Sequence, residues 1–274
     1  DSSTSRGLGD VYKRQNTDQV SSILKLCNSN RQAIVPQGGM TGLVKAGMPD
    51  SSEIAVSLER MNSILEVDFD TATITVEAGV TLQDAQEAAD AHGLMPPLDL
   101  GARGSATIGG NLSTNAGGNR VIRYGMTRDM VLGIEAVLAD GTILSSLNKV
   151  LKNNAGYDLK QLFIGGEGTL GIITKAVLRL RPKPKSENTA FISVNGFDNV
   201  VKLLRSLEAS LSGTLSAYEV MWESAYKVLT GDHSHNTKPF PLGPSHFVLV
   251  EALGGDPITD LSLIHISEPT RRRG

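Results

Sequence analysis

The residues of this sequence best placed to do chemistry are its glycines, which gather in three stretches: "PQGGMTG" at 36–42, "DLGARGSATIGGNLSTNAGG" at 99–118 and "IGGEGTLG" at 164–171. Clustered glycine brings backbone close to another group. Consecutive backbone N–H groups in a turn form an anion-binding nest, and a side chain there would hold a phosphate away. In "PQGGMTG", Pro36 fixes the exit from an apolar run, Gly38, Gly39 and Gly42 are expected to allow unusual φ and close approach, and Thr41 offers a hydroxyl. A P-loop is excluded, because it needs lysine and Ser or Thr directly after the second glycine, and Lys45 in "GGMTGLVK" stands elsewhere. "GEGTLG" matches G-x-G-x-x-G, but a dinucleotide fingerprint must open a helix. The next residues, "IITKAVLRL", read as strand.

The other reactive side chains carry weaker signals. Cys27 is the only cysteine, so no intramolecular disulfide or CxxC pair exists, and a reducing, intracellular setting fits. His233 and His235 in "DHSH" are spaced for one side of a strand but read as a polar loop, so no metal site is assigned. Arg120 and Arg123 follow the second glycine stretch and read first as salt-bridge formers, with a place facing cofactor or substrate as the alternative. Met221 and Trp222 read as core, and His92 as a solvated or capping residue near a helix end.

The elements that position these residues are legible from periodicity. "AIVPQ" and "EIAVSL" read as buried strands, and "ILEVDFDTATITVEAG" as two strands around Asp68 to Thr71. Thr81 opens a helix with Asp84 three positions on, and Gly93 ends it. "VLGIEAVLA" and "TILSS" flank the hairpin signal Asp140-Gly141. A helix around "YDLKQLF" precedes the strand "IITKAVLRLRP", and Pro182 and Pro184 mark the best linker. Beyond it come a strand "TAFISVNG", an amphipathic helix presenting Val200, Leu203, Leu204 and Leu207, and strands "LSAYEVMW" and "HFVLVEAL". The stretch 97–125, keeping almost no apolar periodicity, reads as a loop wrapped around a ligand.

Composition narrows the partner. A net charge of −3 leaves no basic footprint for nucleic acid, so a small molecule is expected. No apolar run approaches the roughly 18 residues of a membrane span, and the chain reads as soluble and cytoplasmic without an integral membrane segment. Residues 1–15 and 261–274 differ in texture from the rest and read as non-native tails.

"PQGGMTGL", the 99–118 stretch, "YG", "VLADGT", "YDLKQLFIGGEGTLGIIT" and "RLRPKP" occur in this order, and in them the chain resembles the FAD-dependent D-2-hydroxy-acid dehydrogenases. These include D-lactate and D-2-hydroxyglutarate dehydrogenases and the FAD subunit of glycolate oxidase, within the vanillyl-alcohol oxidase superfamily of PCMH-type FAD-binding proteins. The resemblance runs from about Ala33 to Pro184 and continues more weakly to "HFVLVEALGGDP". It implies an α+β fold: a two-subdomain FAD-binding domain over 16–184, divided at about 95/96, then the incomplete start of a substrate (cap) domain over 185–260.

It also implies that Pro36, Gly38, Gly39, Met40, Thr41 and Gly42 cradle the FAD pyrophosphate. Leu100, Gly101, Gly104, Ser105, Ile108, Gly109, Gly110, Asn115, Ala116 and Gly117 would line the path from pyrophosphate to flavin, and Glu167, Gly168, Gly171 and Ile172 the adenosine end. Several superfamily members tether FAD covalently through a histidine near the first loop; Met40 stands there, which implies non-covalent FAD.

The implied reaction is oxidation of a D-2-hydroxy acid to the 2-oxo acid, by hydride transfer to flavin N5 and then to an external electron acceptor. It needs a base for the hydroxyl proton and a cation for the carboxylate. The family carries these in its C-terminal part, so the catalytic residues are unknown in this chain. An electron-transfer or scaffold subunit without substrate chemistry, and a phosphate-binding module using the first loop alone, remain the alternatives.

Overall fold

The structure is a computed structural model describing residues 11–13, 16–211, 213–231, 236, 238–243 and 245–257, with backbone alone at 11–13. His233, His235 and the segment 261–274 lie outside these residues. The fold is α+β, and chain contacts divide it into two units. The first comprises the residues up to Gly118 and Met126–Lys183; the second comprises Asn119–Gly125 and the residues from Pro184. The break at Lys183/Pro184 falls inside the proline stretch read as a linker.

The first unit opens with strand β1 (Val11–Lys13) and helix α1 (Thr17–Ser29), followed by β2 (Ile34–Gln37) and β3 (Ile54–Ser57). The three strands form a parallel sheet in the order β1-β3-β2. Val11–Lys13, within the segment read as a tail, thus pair with Ala55–Ser57. Helix α1 starts at Asn16, whose side-chain oxygen accepts from the Gln19 N–H at 2.9 Å. It buries Val20, Leu24 and Cys27, spaced along one face, and Val20 and Leu24 join a core with Val56, Leu58, Met61, Val137 and Ile172. Each such aliphatic side chain contributes about 1.5–3 kcal/mol on burial.

Strands β4 (Ile64–Asp68) and β5 (Thr73–Glu77) flank the expected turn, and helix α2 (Leu82–Asp90) has Thr81 as its N-cap, accepting from the Asp84 N–H at 3.1 Å. A short strand β6 (Leu94–Met95) follows, then helix α3 (Ile108–Ser113). Helix α3 lies in the stretch read as a continuous loop. Its only periodic signal is Ile108 and Leu112, both buried and four residues apart. Residues Val121–Tyr124 form a helical turn, α4, of the second unit, and Thr127–Met130 form α5 of the first.

Strand β7 (Val131–Val137), β8 (Ile143–Ser146), the turn α6 (Lys160–Phe163), β9 (Ile172–Arg179) and β10 (Arg181–Pro182) complete the unit. One antiparallel sheet takes the order β4-β5-β9-β7-β8, and β10 pairs with β6. The five-stranded sheet draws strands from both sides of residue 95, so the division expected at 95/96 does not separate two sheets. The interior of this unit holds a buried carboxylate, Glu135. Burial works to raise its pKa, but hydrogen bonds from Thr17 (2.6 Å), Lys175 (3.0 Å) and Thr174 (3.0 Å) outweigh that and hold it below the ordinary value.

Asp68 closes the β4–β5 turn by accepting from the Thr71 N–H at 3.0 Å and pairs with Lys149 at 2.9 Å. The Thr71 N–H first, and then the Lys149 ammonium, lower its pKa to about 2. A carboxylate depressed in the folded state stabilises above its unfolded pKa of about 4, and that contribution is lost as pH falls through about 2. Asp68→Asn is therefore expected to lower the thermal midpoint at pH 7, with the gap to the parent closing between about pH 4 and 2. A gap independent of pH would show that the charge plays no part.

In the second unit, β11 (Ser186–Val194), α7 (Phe197–Ser210), β12 (Leu215–Trp222), α8 (Glu223–Leu229) and β13 (His246–Gly254) follow in order. The strands form an antiparallel sheet β11-β13-β12. Val200, Leu203, Leu204 and Leu207 of α7 pack on Leu215, Val248, Val250 and Ala252, as the amphipathic pattern requires. Trp222, read as core, is 53% exposed and meets His246 edge-on at 5.2 Å. No helix among the described residues is long and apolar enough to cross a membrane.

Candidate functional site: a glycine-walled cleft

The three glycine stretches meet in the first unit around a cleft of about 350 Å³. Pro36, Gly38, Gly39, Met40, Thr41 and Gly42 line it from the loop after β2, and Leu100, Gly109, Gly110 and Ala116 from around α3. Glu167, Gly168, Gly171 and Ile172 line it from the turn before β9. Of the remaining expected residues, Gly101, Gly104, Ser105, Ile108, Asn115 and Gly117 do not line the cleft. Ile108 is buried in the core and borders a separate small cavity with Leu82 and Leu112. The Asn115 side chain accepts from the Arg128 N–H at 2.9 Å. Lys45, Asn111, Ser113 and Thr114 line the cleft without having been singled out; their polar side chains beside the glycines were the available signal.

The glycines do different work from that expected of them. In the first loop the left-handed residue is Met40, at φ 53°, while Gly38 and Gly39 are required by contact with their own protein. A Cβ on Gly39 would lie 1.8 Å from the Ser105 carbonyl oxygen, and one on Gly38 would lie 2.6 Å from Thr107 Oγ1. Gly109 is fixed in the same way: its N–H donates to the Ala78 carbonyl at 2.8 Å, and a Cβ would meet the Ala78 Cβ at 2.7 Å. These glycines press the loop after β2 and helix α3 onto neighbouring backbone. Gly42 has nothing within 4 Å of its would-be Cβ. "GEGTLG" leads into β9, so the strand expected after it is present and no helix opens there.

Two observations describe the cleft as an anion site with room for a polar ligand. None of the backbone N–H groups of Gly38, Gly39, Met40, Thr41 and Gly42 donates a hydrogen bond among the described residues, leaving five successive donors on one cleft-lining loop. Asn111, 5% exposed, has a buried Nδ2 with no partner, a group that costs free energy unless something accepts from it. Among the described residues, no His, Cys, Tyr or Arg lines the cleft, and the only charged side chains there are Lys45 and Glu167.

The arginines of "GGNRVIRYG" belong to the second unit and are spent within it. Arg120 makes a two-pronged bond to Glu251 at 2.9 and 3.0 Å, and Arg123 donates to Ser216 Oγ at 2.9 Å and to the Leu253 carbonyl. His92 makes the helix-end contact expected of it, Nδ1 lying 3.1 Å from the Ala88 carbonyl. A second cleft in the first unit, about 700 Å³ between Arg128, Leu144, Asn148, Tyr157 and Lys160, contains none of the expected residues.

Comparison with known proteins agrees with this geometry. Residues 11–146 match the protein family described as "FAD binding domain". The chain is 47% identical over 247 residues to a rice protein named "Probable D-2-hydroxyglutarate dehydrogenase, mitochondrial", covering 88% of this chain and 44% of the relative. It is 43% identical over 252 residues to the rat D-2-hydroxyglutarate dehydrogenase, mitochondrial (92% and 47%). It is also 43% identical over 242 residues to a baker's yeast D-2-hydroxyglutarate–pyruvate transhydrogenase (88% and 48%). The chain therefore spans less than half the length of these relatives. A solved alkyldihydroxyacetonephosphate synthase superposes with a TM-score of 0.75 at 22% identity, over 94% of this chain and 50% of that one, which establishes a shared fold. The cytoplasmic location expected from composition is overturned, since the rice, rat, Arabidopsis and bovine relatives are all named as mitochondrial.

The residues present fit FAD: among the described residues, five unpaired backbone donors suit a diphosphate, the buried Asn111 amide lacks an acceptor, and Gly109, Gly110, Gly168 and Gly171 are among the other lining residues. Over residues 11–146, this chain matches the FAD binding domain family.

Proposed function

We propose that this chain holds FAD non-covalently in the glycine-walled cleft and serves the oxidation of a D-2-hydroxy acid to its 2-oxo acid. The row of unpaired N–H groups from Gly38 to Gly42 carries this reading. In it, Pro36, Gly38, Gly39, Met40, Thr41 and Gly42 receive the diphosphate, Leu100, Gly109, Gly110 and Ala116 border the path toward the flavin, and Glu167, Gly168, Gly171 and Ile172 meet the adenosine end. Bound FAD would supply the two-electron acceptor. The names of the relatives favour D-2-hydroxyglutarate as the acid, with D-lactate as a smaller member of the same class.

The chain's own residues do the positioning. The loop after β2 fixes five donors without a charged side chain, Asn111 offers its amide, and Ile172 and Leu58 give apolar lining. A base for the hydroxyl proton and an arginine for the carboxylate are not among the lining residues, so turnover is assigned to the longer protein. Among the described residues that line the cleft there is no His, Cys or Tyr, and Met40 stands in the first loop, which supports non-covalent binding.

The purified protein is expected to be yellow with an oxidised-flavin absorbance spectrum, and acid precipitation should leave the flavin in the supernatant. Flavin remaining with the pellet would overturn non-covalent binding. A folded, colourless protein that fails to take up added FAD would overturn the cofactor assignment itself.

A further inference from the structure

Lys45 is the only cation among the described residues that line the cleft. Its backbone is left-handed, at φ 59°, a conformation unfavourable for a residue with a Cβ and tolerated where the surroundings impose it, often at ligand clamps. The surroundings do impose it. The Lys45 carbonyl accepts from the Met48 N–H at 3.0 Å, the Gln37 amide donates to the Gly47 carbonyl at 2.9 Å, and a Cβ on Gly47 would lie 2.8 Å from Met40 Sδ. The segment is thereby tied back onto the strand and loop that carry the unpaired N–H groups. The ammonium itself has no ion pair or hydrogen bond among the described residues, a state it shares with other lysines such as Lys152 and Lys202, so what sets it apart is its place on the cleft.

We propose that Lys45 contributes a solvent-facing positive charge to the diphosphate of the bound dinucleotide, adding a salt-sensitive increment of affinity to a cradle otherwise made of backbone donors. This rests on the reading of the cleft as the FAD site. A diphosphate brings two negative charges, and a flexible lysine stem lets one ammonium follow them without the fixed geometry that arginine would need. The left-handed turn is held on this account with lysine rather than glycine, which would relieve the backbone but remove the charge.

The test uses the whole chain, stripped of flavin and retitrated with FAD by fluorescence quenching at low and high salt, beside thermal midpoints of the apoprotein. Lys45→Met, which keeps the stem and the strain, is expected to weaken FAD binding about fivefold at low ionic strength, and the difference should shrink toward unity in about 1 M salt. Lys45→Gly should show the same loss while raising the apoprotein midpoint, and Lys45→Arg should restore most of the affinity. Lys45→Met binding FAD within twofold of the parent at low salt, or losing the same factor at both salts, would overturn the role of the charge. Failure of the parent protein itself to bind FAD would instead overturn the cofactor reading, so the two failures are distinguishable.

Discussion

Gly39→Ala is expected to reduce flavin content to less than about a tenth of the parent's and to lower the thermal midpoint by several degrees. The added methyl would stand 1.8 Å from the Ser105 carbonyl oxygen, 2.7 Å from its carbon and 3.0 Å from the Ala106 Cα, all backbone atoms with no rotamer to change. Relief requires the loop after β2 to lift away from the segment leading into α3. The five unpaired N–H groups lie on that loop, so a displacement of an ångström or more spoils their convergence even if the sheet survives. Overpacking of this kind costs about 1–3 kcal/mol in the fold alone. Gly42→Ala is the matched control: nothing lies within 4 Å of the added carbon, and φ at that position is not left-handed, so the parent's midpoint should be kept. Measured flavin-to-protein ratios and melting curves for both variants decide the matter. A Gly39→Ala protein with parental flavin content would show that the loop is free to rearrange.

Arg120→Met should destabilise the second unit by about 1–3 kcal/mol, less than the cost of orphaning a fully buried charge because the pair is partly exposed. Glu251 is 12% exposed and Arg120 15%, and the guanidinium meets both carboxylate oxygens. The methionine fills similar space, so the loss is electrostatic rather than a cavity. Adding Glu251→Gln should return a large part of the stability, because the orphaned charge is then gone. Denaturant unfolding of the two single variants and the double variant measures this coupling. If Arg120→Met unfolds like the parent while the protein loses affinity for a 2-hydroxy acid, Arg120 is a substrate-binding residue and the structural reading fails.

What was legible in the sequence shares a physical form: a signal written within a few residues of the thing it specifies. Thr81 and Asp84 cap α2 because an N-cap bond spans three positions. Val200, Leu203, Leu204 and Leu207 mark the buried face of α7 because 3.6 residues make a turn. The β-branched run after "GEGTLG" fixes β9 and excludes a Rossmann helix. Where the local signal was thin, the reading failed: α3 is a helix of six residues announced only by Ile108 and Leu112 amid glycines, and β1 is three residues whose strand character comes from pairing with β3.

The sequence by itself determined that three glycine-rich stretches exist, that a P-loop and a Rossmann turn are excluded, and that the chain resembles flavin enzymes. It did not determine what each glycine is for. That depends on which backbone lies opposite: Ser105 against Gly39 and Ala78 against Gly109. It also did not separate the arginines that bind within the protein from cations facing a ligand, because Arg120 and Glu251 are 131 positions apart and no spacing records the pair. Among the described residues, tertiary structure alone left Lys45 unpaired on the cleft and Asn111 buried without an acceptor. Local bonding is encoded by neighbours along the chain, whereas the balance of satisfied and unsatisfied groups around a cleft is settled only when distant segments close on one another.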